Sequence, residues 1–154
     1  MDDERIRQFE TDLWVGGEEV YRRSIAPGCV MVLPEPPYVM SGEEAIEAVS
    51  RTPRWSEVEL ADLRVERPQE GLIVIAYGVT ASRGAERFAA NCTSTYLRIA
   101  HEDWRVVQHQ QSLRGAAAAS GGAGQAGGGG GEAGAMEQAQ QDAAEKREDE
   151  SGYQ

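Results

Sequence analysis

The chain has 154 residues and carries 26 acidic against 15 basic side chains, a formal net charge of -11. Such a length accommodates one ordinary domain and an appendage. A mean hydropathy of -0.52, with no apolar run near ~18 residues, excludes a transmembrane helix, and the negative field without a basic cluster argues against nucleic acid as a partner.

The first seven residues, Met1 to Arg7, are charged and lack the apolar stretch of a secretory leader. Two cysteines, Cys29 and Cys92, are too few for a disulfide scaffold. Together these features lead to the expectation of a cytoplasmic protein.

Ile6, Phe9, Leu13 and Trp14 recur at helical spacing behind Asp2 and Asp3, which suit a helix N-terminus. Gly16-Gly17 interrupts that helix. A second, short helix carries Val20, Tyr21 and Ile25 and stops before Pro27-Gly28. Cys29 to Leu33 is a short apolar run of strand type, and Pro34, Pro36 and Pro37 then impose an extended loop. Ser41-Gly42-Glu43-Glu44 is a capping box that opens a third helix, with Ala45, Ile46 and Val49 on its apolar face.

From Ser56 the period changes from helical to alternating. Val58, Leu60, Leu63 and Val65 predict a strand bulged near Asp62 and ending at Pro68. Leu72 to Arg83, Phe88 to Ile99 and Trp104 to Ser112 follow as three long strands joined by tight turns. The layout is α+β: three N-terminal helices packed on one face of an antiparallel sheet. The folded domain is expected over residues 1–114.

Beyond Arg114 the composition changes. Residues 115–154 hold 11 of the 18 glycines and 11 alanines, with no Leu, Ile or Val. Too little apolar surface is available there to offset backbone ordering, so 115–134 reads as a flexible Gly/Ala linker and 135–154 as an acidic, mostly disordered tail. Gly122, Gly124 and Gly127 match a dinucleotide-binding spacing. They lack the preceding strand and following helix that its chemistry requires, and the match is set aside as low complexity.

The order of elements, Met40-Ser41-Gly42 entering the third helix, and a last strand running Trp104-Arg105-Val106-Val107-Gln108-His109-Gln110-Gln111 resemble the nuclear transport factor 2-like superfamily. Within it the chain is most similar to the SnoaL-like branch, also known as domain of unknown function 4440. The likeness covers residues 2–113. It implies a cone-shaped roll, with a strongly bent sheet wrapped on the helices, a pocket among them, and homodimers formed across the sheet. In the ketosteroid-isomerase branch, a general-base Asp followed by Pro stands where this chain has Leu33-Pro34. The proline is present and the carboxylate is not.

Glu35, beside that proline, and His109 are the candidate catalytic bases. Strict alternation from Trp104 puts Val106, Gln108 and Gln110 on the interior face and sends His109 to the outer, dimer-forming face. On that reading Gln108 and Gln110 form a polar pocket mouth. Trp14, Tyr21, Tyr77, Asn91 and Tyr96 complete the candidate pocket residues. Two histidines eight residues apart do not make a metal ligand set, and no cofactor motif is present. Ser94 and Ser112 lack a legible His and acid, and the Asn91-Cys92-Thr93 sequon falls inside a strand. The sequence thus predicts a small-molecule-binding homodimer with a mostly apolar pocket for a small hydrophobic molecule. An isomerase, cyclase or dehydratase acting on a hydrophobic carbonyl compound is the first alternative, and a protein-interaction or assembly module the second.

Overall fold

A computed structural model describes residues 1–115; the predicted linker and acidic tail, 116–154, lie outside the described residues. Three helices precede and interleave with six strands: α1 (Asp3–Val15), α2 (Glu18–Ser24), β1 (Ile25–Val32), β2 (Val39–Ser41), α3 (Gly42–Val49), β3 (Glu57–Gln69), β4 (Leu72–Arg83), β5 (Glu86–Ala100) and β6 (Asp103–Leu113). The sheet order is β2-β1-β6-β5-β4-β3.

Two of the three helices, α1 and α3, begin at side-chain caps. The Asp2 carboxylate accepts from the Arg5 amide, and acidic Asp3 and Glu4 occupy the first turn of α1. At α3 the Ser41 hydroxyl accepts from the Glu44 amide while the Glu44 carboxylate accepts from the Ser41 amide, closing the predicted box. The second helix ends sooner than its apolar pattern implied, because Ile25 already pairs with Val106 as the first residue of β1.

The sheet departs from the antiparallel expectation at one seam. β3, β4, β5 and β6 form the predicted meander, whereas β1 runs parallel to β6. This makes the sheet mixed. β2, α3 and the strands β3 to β5 separate β1 from β6 in the chain, so no hairpin joins the two and their pairing is free to be parallel. A short antiparallel partner, β2, borders β1 at the edge; the proline loop concealed it in the sequence.

Two of the sheet's register shifts bear on the site and on the sequence reading. One lies between Ala61 and Arg64 of β3, where Asp62 takes φ 54°, a left-handed conformation that Asp tolerates better than most residues. The other lies in β6: Tyr96 pairs with Val106 and Thr95 with Gln108, which leaves Val107 as the extra residue. Strand interior positions and helix faces then share one core, with Ile6, Ile25, Ile73, Ile75, Val79, Tyr96 and Val106 almost wholly buried. Among the described residues no helix is long and apolar enough to cross a membrane.

Candidate functional site

The helices and the concave sheet face enclose a cavity of about 470 Å³. Leu13, Ile25 and Met31 supply aliphatic wall, and Trp14, Phe88 and Trp55 form an aromatic row with ring centroids 5.7 and 5.5 Å apart. The volume is that of a small-molecule site, and so is the dominance of apolar lining.

A polar cluster lies beneath this wall. Glu10 falls on the buried stripe of α1 with Ile6, Leu13 and Trp14, and its side chain is fully buried. One carboxylate oxygen accepts from Tyr77 Oη at 2.5 Å and from Ser94 Oγ at 2.7 Å, while the other accepts from Tyr96 Oη. Trp14 Nε1 in turn donates to Tyr77 Oη at 2.9 Å. Three donors to one acidic group, with none left to accept from it, match the acceptor-only chemistry of a carboxylate. Among the described residues every buried side-chain nitrogen or oxygen has a partner.

His109 joins this cluster from β6. Its Nδ1 lies 2.7 Å from Ser94 Oγ and 3.6 Å from Glu10 Oε1, its Nε2 lies 3.1 Å from the Gln111 amide nitrogen, and its ring packs edge-on to Trp14. Burial pushes its pKa below the ordinary histidine value, against the opposing pull of Glu10 and of the Thr93 backbone. Burial, reinforced by Glu10, raises the hydroxyls of Tyr77 and Tyr96, so both remain protonated donors.

Arg54 closes the C-terminal end of α1. Its guanidinium donates to the carbonyls of Leu13, Trp14 and Gly16 at 2.6, 3.0 and 2.7 Å, satisfying groups that the helix itself leaves open. Arg54 also donates to Tyr21 Oη at 3.2 Å and lies over the Tyr21 ring. The Tyr21 hydroxyl, its pKa raised chiefly by burial, keeps its own proton to donate on the cavity side.

The bulge at Val107 corrects the sequence-based orientation of β6. Trp104 and Val106 face inward as expected, but the extra residue restarts the alternation, so His109 and Gln111 face the cavity and Gln108 and Gln110 face out. Gln108 bonds Thr93 and Thr95 on the outer face. Asn91 and Gln110 line a separate outer recess of about 380 Å³, where Asn91 accepts from Arg114. The polar mouth expected from Gln108 and Gln110 is therefore not formed.

Of the other candidates, Trp14 and Tyr21 line the main cavity, and Tyr77 and Tyr96 stand behind it on Glu10. Glu35 is an exposed residue at the cavity rim. It does not join the buried cluster. Sequence reasoning missed Glu10, Ser94, Gln111 and Arg54. Glu10 had a legible signal: a lone carboxylate at i+4 from Ile6 and i−4 from Trp14, on a stripe otherwise apolar. Among the described residues no group of three His, Cys, Asp or Glu side chains could hold a metal ion.

No family model matches the chain, and no curated protein matches it either. Solved structures do. An NTF2-like protein of unknown function in nutrient uptake from Rhodospirillum rubrum is 15% identical, with a TM-score of 0.63 over 74% of this chain and 99% of that one. A candidate ketosteroid isomerase from Parabacteroides distasonis is also 15% identical, with a TM-score of 0.60 over 71% of this chain and 85% of that one. The association domain of CaMKII from C. elegans, 14% identical, gives 0.58 over 71% and 91%. These likenesses establish the fold: helices packed on a curled mixed sheet in the NTF2-like arrangement.

Proposed function

We propose that this chain is a small-molecule-binding protein of the SnoaL-like kind, active as a homodimer. The observation that carries the reading is the cavity: about 470 Å³, walled largely by aliphatic and aromatic side chains, with His109 and Gln111 of β6 and the charged Arg83, Glu86 and Arg87 of β4 and β5 as polar groups from the sheet. Apolar walls supply affinity through surface removed from water, at about 25 cal/mol per Å². A few convergent polar groups then fix the orientation of the guest. The preferred ligand is a small, largely apolar molecule with one or two oxygen functions.

The dimer reading draws on the outer sheet face. Val74, Ala76 and Gly78 of β4, Thr93 and Thr95 of β5, and Gln108 and Gln110 of β6 form a neutral field, with Asp62 and Arg64 of β3 and Arg114 at its border. In an acidic chain, a field whose centre is neutral is suited to meeting its own copy, since self-association there brings few like charges together.

Native mass spectrometry of protein purified from its own host tests both parts. A dimer with a discrete small-molecule mass is expected. A monomer that neither carries such a mass nor binds apolar probes, followed by the fluorescence of Trp14 and Trp55, would sink the reading.

A further inference from the structure

The described residues hold thirteen arginines and no lysine. Arg7, Arg54 and Arg87 donate to backbone carbonyls. Seven more pair with a carboxylate. Among the described residues Arg23, Arg64 and Arg114 reach neither kind of acceptor, although 19 acidic side chains are present. Two of the three, Arg64 from β3 and Arg114 just past β6, border the outer recess of about 380 Å³. A guanidinium keeps its charge at any ordinary pH, so the pair makes a standing cationic spot on an acidic domain.

Arg114 is held in place there. Its Nε donates to Asn91 Oδ1 at 2.9 Å, and its guanidinium lies on the bare backbone of Gly78 in β4, where a Cβ would stand 1.7 Å from a terminal nitrogen. Any side chain at position 78 would push the group away. The Asn91 bond takes only Nε, so both terminal nitrogens remain to donate, with no acceptor for them among the described residues. A fork fixed in advance loses little side-chain entropy when a guest arrives.

We propose that this recess is a second binding site, for a small hydroxylated monocarboxylate, with Arg114 and Arg64 as its charged donors. The planar fork of a guanidinium matches the two oxygens of a carboxylate. Asp62 borders the same recess and pairs with neither arginine among the described residues, so the charges of the site sum to +1. A second negative charge on the guest would meet that carboxylate. Ser112 and Gln110, on the same wall, donate and accept hydrogen bonds and suit a hydroxyl beside the carboxylate. The recess lies on the outer face of the sheet, away from the main cavity, and the proposal does not rest on what that cavity binds. It also borders the neutral field assigned to the dimer, and a bound monoanion cancels the net charge there.

The test titrates lactate into the full chain at constant ionic strength and follows the backbone amides by NMR. Lactamide serves as the uncharged control and sulfate as the dianion. Lactate should shift the amides of Gly78, Asn91 and Ser112 saturably, lactamide should not, and sulfate should bind more weakly. Arg114→Gln and Arg64→Gln should each weaken lactate about 10-fold or more, the worth of a hydrogen bond to a charged group. Gly78→Ala keeps every charge and displaces only the far end of a flexible side chain, so the fold should stand while lactate again weakens about 10-fold. A merely diffuse positive field would not respond to that methyl group.

Absence of a saturable shift at these amides with lactate would overturn the proposal. So would equal shifts with lactamide, shifts confined to cavity residues such as Trp55 and Phe88, or unchanged binding by Arg114→Gln. Sulfate binding more tightly than lactate would overturn the assignment to a monoanion, since Asp62 would then exert no selection. None of these outcomes bears on the cavity, whose reading stands or falls with native mass spectrometry and the apolar probes.

Discussion

Glu10 shows what one buried charge demands of its neighbours. Its carboxylate accepts hydrogen bonds from Tyr77, Ser94 and Tyr96, which come from two adjacent strands, so the helix and the sheet are locked at one point. Glu10→Ala should leave three buried donors without an acceptor, at roughly 1–3 kcal/mol each. A total loss of about 3 kcal/mol or more is expected in chemical denaturation. Tyr77→Phe should cost less, about 1–2 kcal/mol, because it orphans only the Trp14 indole and one lone pair of Glu10.

His109 adds a pH dependence of definite sign. Burial holds its folded pKa below the unfolded value of about 6.5. As the pH falls through that value, the unfolded chain takes up the proton first. Stability is therefore fully present above about 6.5 and lost on acidification toward the folded pKa. A His109→Asn variant should show a shallower stability loss as the pH falls below about 6.5, read from denaturant midpoints at each pH.

Among the elements, α3 and β6 hold the features most easily disturbed. Ser41→Ala should cost about 1 kcal/mol, since the hydroxyl caps an otherwise open amide at the start of α3. The neighbouring Gly42 is fixed by space: a Cβ there would lie 1.9 Å from the Ala26 carbonyl oxygen on β1. Gly42→Ala should destabilise by about 1–3 kcal/mol, in the range of an overpacked core, although alanine is the better helix former. Thermal unfolding of the two variants would show Gly42→Ala as no milder than Ser41→Ala. In β6 the single extra residue Val107 decides which of two polar sets faces the cavity, a change of chemistry obtained without changing any side chain.

The whole molecule presents two unlike faces of one sheet. Inside, aromatic and aliphatic residues surround the cavity; outside, threonine, glutamine and small residues lie open across β4, β5 and β6. Under the proposed dimer, Thr95→Arg together with Gln108→Arg puts charge at the centre of the interface. Like charges would then face one another across the two-fold axis, and the dissociation constant should rise 100-fold or more, as measured by sedimentation. Ligand binding in the cavity, on the opposite face, should persist in the monomer so produced.

Most of the element boundaries follow from local sequence, because caps, prolines and the switch from helical to alternating period act over a few residues. Ser41 to Glu44, the Asp62 bulge and the tight turns between the long strands were legible for that reason; in the structure Gly71 and Gly84 take φ of 79° and 56° at two of those turns. What faces what is settled only by the packed fold. The parallel seam joins β1 to β6, the two ends of a long stretch of chain, and the orientation of His109 depends on one extra residue that alternation cannot reveal. The Glu10 site joins residues separated by 67 to 86 positions in the chain. No local pattern links such residues. Their meeting is fixed by the packing of α1 across the sheet, where a buried carboxylate persists only if donors from β4 and β5 arrive at the same point.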